Sequence, residues 1–334
     1  MARLDFPGLE GTDAVLESEI RIRLDDVEAA LAKAVLADSE LLAQTSGYLL
    51  SAGGKRFRPM LVLLSGYFGD PADQRLVPGS VAIELTHLAT LYHDDVIDEA
   101  DSRRGIPSVN TRWTNTVAIL TGDYLFARAS EISSDLGTDV TRLLARTIAT
   151  VCDGQVREVS AAGRTDQTVE SYLGTIQRKT ASLIATSCRL GGMLSGVPEG
   201  YLDTLEEYGD AVGMAFQLSD DVMDFVATAE QLGKEPGIDM REGVYTLPVL
   251  YALTGGPRKE ELQSLLSMGA PDGRALERAL AVVLGDSAID QAREVVSEHV
   301  NRARKLAATL PEGPAAQAMG RLATFLSTRC GASG

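Results

Sequence analysis

The sequence predicts an all-α protein. Three observations carry this: apolar residues recur every three or four positions through most of the chain, short Gly/Pro breaks interrupt that period, and convincing runs of alternating β-branched residues are absent. The first periodic stretch covers residues 14–50, with Leu16, Ile20, Leu24, Val27, Leu31 and Val35 on one face. Breaks follow at residues 69–71, 78–79, 105–107, 196–200, 255–257, 271–273 and 311–314. They delimit about a dozen helices. None is a long, low-complexity or strongly charged linker, and no fixed-period repeat emerges, so residues 1–334 read as one domain. Two breaks are longer and polar, residues 100–110 and 233–243. Each follows a run of aspartates, which makes both candidates for active-site lids.

Composition narrows the function. Lys and Arg number 31 against 47 Asp and Glu, a formal charge of −16 that excludes a nucleic-acid binder relying on basic patches. Hydrophobic residues at 45% and charged residues at 23% exclude a disordered acidic tail protein. Cys152, Cys188 and Cys330 are widely spaced and form no C-x-x-C pair, as expected of structural thiols in a reducing compartment. The acidic N-terminus lacks the apolar core of a signal peptide, and no run of 18 apolar residues suggests a membrane span. A soluble cytoplasmic protein is the expectation.

The chemistry concentrates in two aspartate runs. Asp94, Asp95 and Asp98 close a helical pattern that begins near Val81, and Asp94 and Asp98 share its face. Asp220, Asp221 and Asp224 close a second pattern from near Leu202, where Gln217 extends them into a stripe at i, i+3, i+4 and i+7. Carboxylates there meet the negative end of the helix dipole and repel one another. A solvated face would mix in lysines, whereas these runs are flanked by Leu91, Val96, Ile97, Phe216, Val222 and Phe225. Hard oxygen ligands beside a cavity suit magnesium completed by phosphate oxygens and water. One DDxxD run is weak evidence for such a site, and two at equivalent helix ends are strong.

Localised cations complete the pattern. Lys55, Arg56 and Arg58 follow the Gly53-Gly54 pair, Arg103 and Arg104 follow the first aspartate run, and Lys179-Thr180 and Lys234 come later. The first group alone is as easily an exposed turn as an anion site. In a chain this acidic, the set is suited to holding anions, arginine by planar bidentate contacts and lysine as a point charge.

The segment ELTHLATLYHDDVIDEADSRRG, with GGKRFRP, RKTASLIA, FQLSDDVMD and GKEPGID, resembles the trans-type polyprenyl diphosphate synthases. The resemblance covers essentially the whole chain. It implies a single-domain isoprenoid-synthase helical bundle around a deep central cavity, with two aspartate motifs facing across its mouth. Asp94 and Asp98, supported by Asp95, would bind two of three Mg2+ ions, and Asp220 the third, with Asp221 and Asp224 assisting directly or through water. Arg103, Lys179 and Lys234 would hold the diphosphate of an allylic substrate, with Thr180 and Gln217 at polar positions nearby. Isopentenyl diphosphate would sit, without metal, on Lys55, Arg58, His87 and Arg104. His87 lies seven residues before Asp94 and so on its face. Gln155 and Glu158, in a GQ-x-x-E run, resemble a further family motif without a role that the sequence assigns.

The implied reaction ionises the allylic diphosphate, adds the isopentenyl double bond to the cation and loses a proton, in a site closed to water. One departure stands out: Val244 occupies a position where many members carry a lysine. In the family, bulky residues four or five positions before the first motif stop chain growth. Here these are Thr90 and Ala89, followed up the helix by Thr86, Leu85, Ala82 and Val81. Each helical turn deepens the tunnel by ~5 to 6 Å, roughly one isoprene unit, so a medium or long product of about C30 to C50 is expected, of the kind used in quinone side chains. A geranylgeranyl diphosphate synthase making C20 is the alternative. A class I terpene cyclase would usually lack the second motif and the isopentenyl set, and a non-catalytic subunit typically loses both motifs. A homodimer is expected, as is usual in the family.

Overall fold

The computed structural model describes residues 13–227, 236–267 and 269–331. The chain is all-α there apart from one tiny hairpin, as the periodicity predicts. It forms two compact units: Met1–Ile148 with Leu183–Glu206 and Leu310–Gln317, and Ala149–Ser182 with Glu207–Thr309 and Ala318–Gly334.

The first unit opens with α1 (Ala14–Ala34), capped by Asp13, whose Oδ1 accepts from the amides of Val15 and Leu16 at 3.0 Å. The stretch expected to run on to Leu50 breaks here. The chain turns at Ser39, which caps α2 (Glu40–Ser46), and a single turn, α3 (Tyr48–Ser51), follows. Next come α4 (Phe57–Gly66) and the 22-residue α5 (Leu76–Ile97), which starts earlier than the pattern from Val81 suggested. Both are apolar on most sides, the mark of interior helices. After α5 the two-residue strands β1 (Ser102–Arg103) and β2 (Ile106–Pro107) pair antiparallel. Then come α6 (Val109–Arg112) and α7 (Asn115–Leu136), which packs along α5. The contact is close because α7 offers small residues: a Cβ on Gly122 would lie 2.3 Å from the His93 ring. Tyr92, fully buried, ties α5 to the preceding segment, donating to Thr45 O at 2.5 Å and accepting from the Leu49 amide at 3.3 Å.

Three further helices are α8 (Thr138–Ala161), α9 (Val169–Ile176) and α10 (Ser182–Ser195). Between α9 and α10, residues Gln177–Ala181 form a turn of π-helix, a wide turn common at functional sites. The 28-residue α11 (Glu199–Val226) carries the second aspartate run near its end. Beyond it come α12 (Ile238–Arg241), α13 (Leu247–Gly255), α14 (Lys259–Leu266), α15 (Gly273–Leu284), α16 (Ala288–Ala307) and α17 (Pro314–Arg329). In the second unit α13, entirely apolar through Leu247, Pro248, Val249 and Leu250, is the buried centre against α14, α15 and α16.

Candidate active site

In the first unit, the hairpin after α5 and the glycine turn before α4 bring the predicted anion-binding residues together. Arg104 and Gly105 form the two-residue turn between β1 and β2, both at positive φ (54° and 76°), the geometry of a primed hairpin turn. That conformation costs free energy at an arginine. It is repaid where Arg104 Nη1 donates to Leu49 O at 2.8 Å and to Gly53 O. Gly54 leaves room for this, since a Cβ there would stand 2.5 Å from Arg56 Nη1 and 3.1 Å from Arg104 Nη1.

The arginines divide by partner. Arg56, also at positive φ, is buried and bound to Glu28 and, at 3.0 Å, to buried Glu84, so it braces the turn. Arg58 differs: its Nε is buried with no hydrogen-bond partner among the described residues. Burial pulls its guanidinium down to about 10, with Glu84 opposing and Arg104 adding to the shift, so it stays charged at neutral pH. His87 is held well below its ordinary range, first by burial and then by Arg58, Arg104, Arg103 and Arg56. It is therefore neutral at physiological pH. Lys55 is exposed and has no ion-pair partner among the described residues.

The first aspartate run borders this nest. Asp95 is fully buried, and Arg103 Nε donates to its Oδ1 at 2.6 Å while Oδ2 is buried without a hydrogen-bond partner among the described residues. Burial raises its pKa and the Arg103 charge opposes that. Asp94 is half-buried, and Asp98 is exposed as the C-cap of α5. Of the two length-determining candidates, Ala89 is completely buried, while Thr90 folds its hydroxyl back onto His87 O at 2.7 Å.

In the second unit, Asp221 and Asp224 are buried and Asp220 and Gln217 half-buried, the stripe that the spacing requires. Asp220 pairs with Arg329 of α17 at 2.6 Å, and that guanidinium also lies 5.5 Å above the Phe216 ring. Asp221 accepts from the Tyr172 hydroxyl and, at 3.0 Å, from Gln217 Nε2; Thr180 Oγ1 donates to Gln217 Oε1 at 3.0 Å. Lys179 Nζ donates to Glu158 Oε1. The π-turn that carries Lys179 and Thr180 is wedged between two glycines: a Cβ on Gly154 would stand 2.4 Å from Lys179 N, and one on Gly213 2.5 Å from Ala181 Cα. Gln155 lies one residue beyond Gly154, and both its side-chain amide atoms are buried with no hydrogen-bond partner among the described residues. Val244 lines a small recess with Glu158, Tyr172 and Tyr245, beside the lysine–glutamate pair. Lys234 and the first residues of the second candidate lid lie outside the described residues.

Among the described residues, no three His, Cys, Asp or Glu side chains converge as a ready-made metal cage. The first-unit run nevertheless offers hard carboxylate oxygens, one of them orphaned on Asp95. That suits an ion whose shell is finished by substrate oxygens and water.

The model of the family described as Polyprenyl synthetase matches residues 39–283. The chain belongs to that family. As a polyprenyl synthetase it is an all-α transferase, a trans-prenyltransferase with the isoprenoid-synthase fold. It is 39% identical over 326 residues to the nonaprenyl diphosphate synthase of Mycobacterium tuberculosis, covering 97% of both chains. With the heptaprenyl diphosphate synthase component 2 of Geobacillus stearothermophilus it shares 40% over 306 residues, 91% of this chain and 94% of that one. A solved polyprenyl synthase from Caulobacter crescentus, complexed with calcium and isoprenyl diphosphate, superposes with a TM-score of 0.88 at 29% identity, over 96% and 98% of the chains.

Sequence reasoning missed Glu84, Tyr172 and Arg329. Glu84 carries a signal in its spacing, three residues before His87 and so on the same side of α5, whereas Tyr172 carries none toward Asp221, which it meets from a different helix. Arg329 has none, because it reaches Asp220 only through the packing of α17.

Proposed function

We propose that this polyprenyl synthetase condenses isopentenyl diphosphate with an allylic diphosphate and repeats the step to an all-trans product of about C30 to C50, since none of Thr90, Ala89, Thr86, Leu85, Ala82 and Val81, the α5 positions that would line the growing chain, is aromatic. The observation that carries elongation is the arginine nest of the first unit, with an unpartnered Arg58 Nε beside neutral His87. Lys55, Arg58, His87 and Arg104 hold the isopentenyl diphosphate there, His87 as a neutral donor that adds no charge. Arg103, Lys179 and Lys234 hold the allylic diphosphate, with Thr180 and Gln217 beside the reacting carbon. Asp94, Asp95, Asp98, Asp220, Asp221 and Asp224 would hold three Mg2+ ions, which when bound act as Lewis acids on the departing diphosphate. Closure of the segments after each aspartate run keeps water from the cationic carbon.

The domain reading is one catalytic domain over residues 1–334, supported by the unbroken family match from 39 to 283. Among the described residues no helix is long and apolar enough to cross a membrane, and all three cysteines are free, which supports a cytoplasmic enzyme. We read it as a homodimer. A second reading has support of its own: the Geobacillus relative is named as one component of its synthase, so this chain could be the catalytic half of a two-chain enzyme.

The test is incubation of the purified chain with magnesium, isopentenyl diphosphate and allylic primers of C5, C10, C15 and C20, followed by chromatography of the dephosphorylated products. Linear products of about C30 to C50 are expected. A C20 stop overturns the length, and cyclic hydrocarbons made without isopentenyl diphosphate overturn elongation. Activity that appears only on adding a second chain favours the two-component enzyme.

A further inference from the structure

Among the described residues, three other than glycine adopt positive φ: Arg56 at 46°, Glu99 at 51° and Arg104 at 54°. All three belong to the first unit, in the arginine nest or next to the first aspartate run. Backbone strain of this kind persists where the surroundings over-determine it. At Arg56 the surroundings are acceptors from three helices. Its Nε donates to Glu28 of α1, its Nη1 to Glu84 of α5 at 3.0 Å, and its Nη2 to Glu28 and to Leu50 O of α3, both at 3.4 Å. Every nitrogen of the guanidinium is therefore engaged by the protein, and the pair with Glu84 is buried on both sides. The sequence groups Arg56 with Lys55 and Arg58, yet its environment sets it apart from them.

We infer that Arg56, anchored by Glu84 and Glu28, is a positioning residue of the isopentenyl diphosphate pocket, fixing the glycine turn against α5 so that Lys55 and Arg58 converge with His87 on one diphosphate. The inference rests on the prenyl-transfer reading above. Lys55 and Arg58 flank Arg56 in the chain, while His87 follows Glu84 by three residues on the same side of α5. The Arg56–Glu84 pair thus joins the segment that carries two of the ligands to the helix that carries the third. Arg104 ties down the same turn from the hairpin, with Nη1 on Leu49 O at 2.8 Å and on Gly53 O. Both strained arginines therefore donate to carbonyls at the end of α3. Glu84 makes the inference testable by sign. Its charge also acts on Arg58 and Arg104, so it lies close to where the anion would sit. A carboxylate there repels a diphosphate, and by charge alone its loss would tighten binding. Its bond to Arg56 predicts the reverse.

The test is calorimetric titration of isopentenyl diphosphate into the full chain in EDTA, paired with KM values for both substrates in the complete reaction with magnesium. Glu84→Gln is expected to weaken isopentenyl diphosphate about tenfold in both measurements and to leave the KM of a C15 primer within about twofold. Glu84→Asp keeps the charge but withdraws it by one methylene, and it is expected to weaken isopentenyl diphosphate about as much. Binding to Glu84→Gln as tight as to wild type, or tighter, overturns the inference, as does a Glu84→Asp that binds like wild type. KM values that rise together for both substrates overturn it too, because a general loss of packing does that. Glu28→Gln runs the same test should the buried variants not fold, since Glu28 is only half-buried. A rise of about threefold confined to isopentenyl diphosphate is expected there, and an unchanged affinity overturns the inference. A wild-type protein that binds no isopentenyl diphosphate in EDTA overturns the pocket reading and this inference with it. A wild type that binds it beside unaffected variants overturns this inference alone.

Discussion

His87 shows how much a neighbourhood changes a side chain. As a residue type it is a group that titrates near pH 6.5. Enclosed by Arg58, Arg104, Arg103 and Arg56, its folded pKa is depressed, so between that value and about 6.5 the unfolded chain binds a proton that the native one does not. The stability contribution is therefore complete above about pH 6.5 and declines as the pH falls through that value towards the folded pKa. Urea midpoints from pH 7.5 to 5.5 should show a downward slope, somewhat less than ~1.4 kcal/mol per unit because water still screens the ring, and His87→Gln should remove it. An identical slope in the variant would show that the imidazole is not held neutral. The seven-residue spacing to Asp94 placed His87 on the right face. Its protonation state depends on four arginines from two other stretches of chain, which no local pattern contains.

At the scale of elements, the decisive feature is the π-turn between α9 and α10. The RKTASLIA motif marked its residues, but a wide turn has no sequence signature distinct from the helix around it. Here α8 and α11 approach it at glycines, where a side chain would collide with backbone. Gly213→Ala should force Ala181 and the turn to shift, at a cost of ~1 to 3 kcal/mol, with a matching fall in melting temperature and a loss of turnover larger than the stability change explains. A variant that melts and turns over like wild type would make the close contact incidental. The hairpin at residues 102–107 is a similar case. A polar break and a candidate lid were legible, whereas the strands were not, since two-residue pairs leave no alternation to read. The turn residues Arg104-Gly105 become meaningful only once Leu49 O and Gly53 O are seen to receive the arginine.

For the whole molecule, a charge of −16 argues against binding nucleic acid through basic patches without arguing against a small anionic substrate, because clustered cations such as those around Arg58 set a local potential that differs from the average surface. The clustered aspartates repel one another, so their relief by ligands should appear as stability. Magnesium with inorganic diphosphate should raise the melting temperature by several degrees, and Asp94→Ala should abolish most of that rise along with turnover. A variant that retains the full shift would remove Asp94 from the metal site. The sequence by itself determined the all-α class, the order of the helices, both aspartate runs and most of the cations, because helical period and motif spacing are local properties. Only the tertiary structure decided which of these groups are already spoken for: Arg56 by Glu28 and Glu84, Lys179 by Glu158, Asp220 by Arg329, Asp221 by Tyr172. The physical reason is that a charge is satisfied by whatever lies within a few ångströms, and those partners come from segments that the chain brings together only on folding.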